Sequence, residues 1–177
     1  NCMVKHNLTN EYNERREACE EAVRILHAAD AGVRALRDVS LPRLQAAQGQ
    51  LPPVAYRRAL HVVGEITRVE DGVQALRAGQ LATFGRFMFE SQDSSTRNFE
   101  NSCAEIDALV DIARGLPGAL GARLSGGGFG GITVHLVEAA QAQAYAQELG
   151  WQYRGRTGLT ADITICNAAD GAQVLAG

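Results

Sequence analysis

Residues Ser125 to Gly131 read Ser-Gly-Gly-Gly-Phe-Gly-Gly, and neither a helix nor a strand runs through such a segment. Glycine enters φ > 0 freely and loses the most freedom on ordering, so the run marks a turn. The stretch that follows, Ile132-Thr-Val-His-Leu-Val137, is β-branched and apolar, and Ala119 to Leu124 leads in from the other side. That composition is a strand signature. The glycines therefore open a strand. Successive N–H groups in a tight glycine turn form a concavity for anions, with phosphate the natural guest. A Walker loop would end in Gly-Lys-Ser/Thr, whereas Gly130-Gly131-Ile132 stands here. A dinucleotide fingerprint opens a helix instead of a strand. A phosphate loop of another kind and a glycine-rich hairpin with no ligand both fit the pattern.

Ahead of the loop the apolar residues recur at helical spacing. The pattern predicts a helix over 10–29, with Tyr12, Cys19, Val23 and Leu26 on one stripe, Glu14, Glu17, Glu20 and Glu21 toward solvent, and Thr9 or Asn10 as cap. Ser40 and Pro42 open a short second helix. A long helix runs from Pro53 to about Ala78, its apolar face drawn from Leu60, Val63, Ile66, Val69, Val73 and Leu76, with Gly79 as its stop. A helix over 80–93 turns Leu81, Phe84, Phe87 and Met88 inward. Another starts at Ser102 or Cys103, carries Ile106, Leu109, Val110 and Ile112, and ends at Arg114, Gly115 and Pro117. Behind the loop, 138–149 is a helix closed by Gly150, and the alternation of Leu159, Ala161, Ile163 and Ile165 predicts a further strand reaching Cys166. The fold class is α+β: a helical segment plus a small, mostly antiparallel sheet with helices on one face, residues 1–177 forming one domain.

Charge and cysteine usage narrow the function. A formal net charge of −3, with no basic run, argues against nucleic acid and membrane surfaces as partners. No apolar stretch is long enough to span a bilayer, and no signal-peptide pattern stands at the start, which points to the cytoplasm. Cys2, Cys19, Cys103 and Cys166 form no C-x-x-C pair, so zinc spacing is absent and no metal ligand is assigned. Cys19 and Cys166 read as small hydrophobes. Cys103 lies near a helix start, where a thiol's pKa can fall, but no histidine neighbours it, and it is not assigned a catalytic role. Arg15 and Arg16 read as a solvated pair, and His61, within a turn of Arg57, Arg58 and Glu65, as a structural histidine. Glu105 and Asp107, two apart on a helix, do not share a face. By spacing alone Tyr12 is a core tyrosine.

The string Gly121-Ala-Arg-Leu-Ser-Gly-Gly-Gly-Phe-Gly-Gly131 closely resembles the third conserved motif of the GHMP small-molecule kinases, and the phenylalanine at 129 is most like the galactokinases. Met3 to Glu20, Tyr56 to Glu65, Phe84 to Ser91, Ser102 to Asp107 and Ala169 to Ala172 resemble galactokinase segments in the same order. Together they span nearly the whole sequence. The resemblance implies transfer of the γ-phosphoryl of ATP, with Mg2+, to the anomeric hydroxyl of galactose. It implies that Tyr12 lies in the sugar pocket, and that Ser125, Gly126, Gly127, Gly128, Gly130 and Gly131 line the floor beneath the phosphates. The implied fold is the ferredoxin-like C-terminal domain of that family. The family's catalytic aspartate, its partner arginine, the acidic sugar motif and the serine-rich nucleotide loop belong to an N-terminal domain. That domain is absent from these residues and is an implied partner. The chain alone is accordingly expected to be inactive and to self-associate through its uncovered face. A non-catalytic sugar sensor and a kinase for another small-molecule alcohol are the alternatives. Gln92 stands where many relatives carry histidine, a departure to which the sequence attaches no consequence.

Overall fold

The computed structural model describes residues 1–4 and 9–171, without the side chain of Thr9. Thr9 as a cap, Lys5 to Leu8 of the first matching segment and Ala172 of the last lie outside the described residues. In chain order come α1 (Thr9–Ala29), a 3-10 turn at Leu36–Asp38, α2 (Leu41–Ala46), a 3-10 turn at Gln48–Gln50, α3 (Pro53–Arg77) and α4 (Leu81–Ser94). A π-turn at Ser95–Phe99 leads to α5 (Ala104–Gly115), β1 (Ala119–Ser125), β2 (Ile132–Val137), a 3-10 turn at Ala139–Gln141 and α6 (Ala142–Thr157).

Two apolar cores form. The first gathers Ala22 and Leu26 of α1, Val33, Leu36, Val39, Leu44 and Leu51 of the connecting turns and α2, and Ala55, Ala59 and Val63 of α3. The Asp38 carboxylate closes this corner by accepting the N–H groups of Arg34 and Ala35 at 2.9 and 2.8 Å. The second joins Ile106, Leu109 and Ile112 of α5 to Ala122 and Leu124 of β1 and to Tyr145, Leu149 and Tyr153 of α6.

Between the cores α4 lies directly against β1. A Cβ added at Gly85 would sit 2.0 Å from the carbonyl oxygen of Leu120, and one at Gly121 would sit 2.4 Å from that of Gly85. Only a residue without a Cβ at both positions lets helix and strand backbones approach this closely. β1 and β2 pair antiparallel, Arg123 opposite Val134 and Ser125 opposite Ile132, with an irregularity between Ala119 and Gly121. The hairpin therefore carries the glycine run at its tip.

Several expectations are corrected. Residues 159–166 form no strand. Leu159 and Ala161 do pack inward on the second core, but Ile163 and Ile165 are exposed, so the alternation names the buried side only over its first half. A strand also needs a ladder, and here only Asp162 bonds across, exchanging two backbone hydrogen bonds with Asn1 at 2.8 and 3.2 Å. The sheet among the described residues consequently has two strands, and with the helices packed on it the α+β class with a small antiparallel sheet holds. Cys166 is exposed rather than buried. Helix α6 runs through Gly150 to Thr157 and stops at Gly158, whose φ of 75° is the usual left-handed cap. In α3 the stripe predicted to be buried faces solvent over its second half, with Val69 64% exposed and Val73 and Leu76 also exposed. Gly72 and Ala75 are buried there instead, because the Phe84 ring of α4 lies against the backbone at Gly72. Leu81 likewise turns outward. No helix among the described residues is long and apolar enough to cross a membrane.

Candidate functional site

The loop at the hairpin tip is tied down at several points. Phe129 sits at φ 61°, in the left-handed region that side chains other than glycine rarely adopt. Its N–H donates to the carbonyl oxygen of Asn101 at 2.6 Å, while Asn101 Nδ2 donates to the carbonyl oxygen of Gly127 at 3.2 Å. Gly128 passes so close to Asn101 that a Cβ there would be 2.1 Å from the same carbonyl. The segment at Cys2 to Val4 holds the far side, Cys2 N–H donating to Gly131 and Gly131 N–H to Val4 at 2.8 and 3.2 Å. The N–H groups of Gly126, Gly127, Gly128 and Gly130 make no backbone hydrogen bond among the described residues. What results is a fixed turn with several N–H donors that have no partner among the described residues, the arrangement that receives an anion.

The turn that grips the loop is itself fixed by arginines. The π-turn ends at Glu100, in the left-handed region at φ 55°. The Glu100 carboxylate accepts Arg57 at 3.1 Å and Arg58 at 2.7 Å. The Arg58 hydrogen bond, then the charges of both arginines, hold the carboxyl below its ordinary range despite partial desolvation. Arg58 also donates to the carbonyl oxygen of Asn98 at 2.5 Å. Arg15, expected in solvent, has a side chain only 12% exposed. It donates to the carbonyl oxygens of Phe99 at 3.2 Å and Glu100 at 2.7 Å, and its guanidinium lies 4.8 Å from the centre of the Phe129 ring. Its neighbour Arg16 is solvated as expected.

Behind the loop a polar network centred on the buried Gln92 closes the edge of β1 at Leu124. Gln92 Oε1 accepts the N–H of Leu124, the residue before Ser125, at 2.7 Å. Gln92 Nε2 donates to Asp107 Oδ1 and Ser102 Oγ, each at 2.9 Å. The same Asp107 oxygen accepts the hydroxyls of Ser102 at 2.7 Å and Thr96 at 2.9 Å. Gln92 thus has a definite role: its amide stands in for a neighbouring strand at the last residue before the loop. Beside Ser125 and Gly126 opens a cleft of about 410 Å³, walled by Phe84, Phe87, Arg68 and Arg123. At its base burial pushes the Glu65 carboxyl up, but the Ser91 hydroxyl at 2.7 Å and Arg68 at 2.6 Å outweigh this and hold it below its usual range. His61, stacked on Phe99 with Nδ1 3.0 Å from Ser94 Oγ, is lowered to about 4, chiefly by burial. It is the structural histidine anticipated.

Tyr12 is 61% exposed, so the core-tyrosine reading fails. The side chain stands on α1 one turn before Arg15, with its phenol open to contact. Burial raises the thiols of Cys19 and Cys103 to about 11, so neither is a thiolate near neutrality, and the helix start near Cys103 does not reverse this. Among the described residues no group of three or more His, Cys, Asp or Glu comes together to hold a metal ion.

Comparison with known proteins gives this arrangement a context. The family described as GHMP kinases C terminal matches residues 73–150. A galactokinase of Roseiflexus sp. (strain RS-1) is 47% identical over 160 residues, covering 90% of this chain and 41% of the relative. The galactokinase of Homo sapiens is 44% identical over 176 residues, covering 99% of this chain and 43% of its own length. The crystal structure of Lactococcus lactis galactokinase complexed with galactose superposes with a TM-score of 0.86 at 29% identity, over 90% of this chain and 42% of that one. The chain spans less than half the length of the relatives it matches.

Proposed function

We propose that the protein this chain belongs to phosphorylates galactose at the anomeric hydroxyl, with ATP as donor, because residues 73–150 match the family of GHMP kinases C terminal and the chain is similar to galactokinases along nearly its whole length. The observation that carries this reading is the likeness to the galactose-bound Lactococcus lactis enzyme over 90% of the chain. Residues 1–177 serve as the C-terminal domain, and an N-terminal domain of the same protein supplies the remaining machinery.

Within that reaction these residues have two tasks. Phosphoryl transfer depends on positioning and on neutralising charge more than on covalent chemistry by the protein. The unpaired N–H groups of Gly126, Gly127, Gly128 and Gly130 donate to phosphate oxygens, and the Ser125 hydroxyl adds a side-chain donor at the mouth of the loop. Gly131, anchored to Cys2 and Val4, holds the last turn of the floor in place. The Tyr12 phenol hydrogen-bonds a sugar hydroxyl and orients the acceptor. Magnesium would shield the phosphates when bound, and among the described residues no group of three or more His, Cys, Asp or Glu comes together to hold it. Four free cysteines and ATP as co-substrate fit a cytoplasmic enzyme.

The test uses protein made from the whole reading frame, incubated with galactose, ATP and magnesium and assayed for galactose 1-phosphate. Stoichiometric formation of that product is expected. Tyr12→Phe is expected to raise the galactose KM by about tenfold, the worth of one hydrogen bond, while leaving the ATP KM within about twofold. Phosphorylation of a different alcohol with galactose ignored would refute the substrate assignment. Tight binding of galactose and ATP without any transfer would identify a sugar sensor instead.

A further inference from the structure

We infer that Arg15 is a positioning residue that couples the sugar side of the site to the phosphate side, acting through the Phe129 ring and the Asn101 clamp. The inference rests on the reading of Tyr12 as a sugar contact and of the glycine loop as a phosphate contact.

Phe129 is the one residue of the loop with a side chain in the left-handed region. Glycine occupies every other position from 126 to 131, and glycine would also meet the left-handed backbone at 129 with less strain. A side chain at φ 61° persists where its surroundings over-determine it. Here two contacts do so: the N–H of Phe129 on the Asn101 carbonyl at 2.6 Å, and the ring under the Arg15 guanidinium at 4.8 Å. Arg15 in turn has few alternatives. Its donors are committed to the carbonyl oxygens of Phe99 and Glu100 on the gripping turn and to that of Glu11 on its own helix, at 3.2, 2.7 and 3.1 Å. One guanidinium therefore touches α1, the 99–101 turn and the loop at once.

Tyr12 and Arg15 stand three apart on α1, hence on one face. A sugar held by Tyr12 restrains the first turns of α1 and with them the guanidinium against Phe129. Phosphate bound in the loop restrains Phe129 and presses the same stack from the other side. Each ligand reduces the freedom the other must still remove, which is positive coupling without a new contact between them. Asn101 grips the loop at two points, its carbonyl oxygen accepting the Phe129 N–H and its Nδ2 donating to the Gly127 carbonyl oxygen.

The experiment measures, on protein from the whole reading frame, the galactose Kd with and without saturating non-hydrolysable ATP analogue and magnesium. In the parent the analogue is expected to tighten galactose by roughly fivefold or more, the lower end of common coupling strengths. Arg15→Ala and Phe129→Leu are expected to reduce that ratio to about twofold or less. Arg15→Lys should behave as Arg15→Ala, since lysine keeps the charge but loses the planar fork. Phe129→Tyr keeps the ring and should retain the parent ratio. A merely structural role would lower the thermal midpoint or weaken both affinities while leaving the ratio unchanged, and that result overturns the inference. A parent that binds both ligands without coupling overturns it as well. A parent that binds the analogue but no galactose sinks the sugar reading itself, a distinct failure visible in the first titration.

Discussion

At the scale of single residues the molecule is governed by where polar groups find partners. Gln92 illustrates this: one amide satisfies the edge of β1 and organises Asp107, Ser102 and Thr96. Gln92→Leu is nearly isosteric but leaves the buried Leu124 N–H without its acceptor, while Asp107 keeps the hydroxyls of Ser102 and Thr96. Urea denaturation should show a loss of about 1–3 kcal/mol, since an unsatisfied buried group bears its full desolvation cost. The histidines make a second prediction. His61 and His135 are both lowered from 6.5 to about 4, chiefly by burial, and His135 lies between Tyr145 Oη at 2.5 Å and Thr133 Oγ1 at 2.8 Å. Both are neutral when folded and take up protons more readily when unfolded. Their contribution is therefore complete above about pH 6.5 and is lost as the pH falls toward 4. The lowered Glu65 carboxyl acts in the same direction at lower pH. The thermal midpoint should fall steadily from pH 7 to pH 4.5, and His61→Gln should flatten that slope. A midpoint independent of pH in this window would contradict the burial of both rings.

At the scale of elements the decisive contact is α4 on β1. Helix propensity disfavours glycine in a helix interior by about 1 kcal/mol, yet Gly85 sits mid-helix because Leu120 allows nothing larger. Gly85→Ala should improve propensity and still destabilise by about 3 kcal/mol, read from denaturation midpoints, because strand and helix must separate. It should also speed amide exchange along β1. The exposed stripe on α3 supplies the contrast. Val69→Thr should change stability by less than about 0.5 kcal/mol, as surface substitutions do, whereas the pattern of apolar residues by itself assigns Val69 to the core. Period tells which residues share a helix face, but which face is covered depends on the partner. Here the Phe84 ring of α4 covers the small-residue side at Gly72.

At the scale of the whole molecule two apolar cores are bridged by a polar hub, in which Glu100 and its turn join α1, α3 and the glycine loop. Hydrophobic packing resists local opening more than exposed polar contacts do, so the two halves should open separately. Leu44→Ala and Leu109→Ala each remove a fully buried side chain and should each destabilise by about 2–5 kcal/mol. Native-state hydrogen exchange should show the first loosening α1 to α3 and the second loosening α5, α6 and the hairpin. Equal loss of protection everywhere would mean a single cooperative unit.

Much of this was legible without a structure. Helix positions, the two hairpin strands and the turn between them follow from apolar period, proline and glycine, because these act through local backbone energetics that need no distant partner. The string from Gly121 to Gly131 pointed to the family for the same reason: backbone approach to a ligand requires glycine at particular positions. What the sequence could not disclose is every feature that depends on residues far apart in the chain. The burial of Arg15, the role of Gln92, the exposure of Val69 and the unpaired state of 159–166 each turn on a neighbour brought in by the fold. Whether an arginine is solvated, or an alternating segment becomes a strand, is set by the donor, acceptor or ring placed opposite it, and only tertiary structure chooses that neighbour.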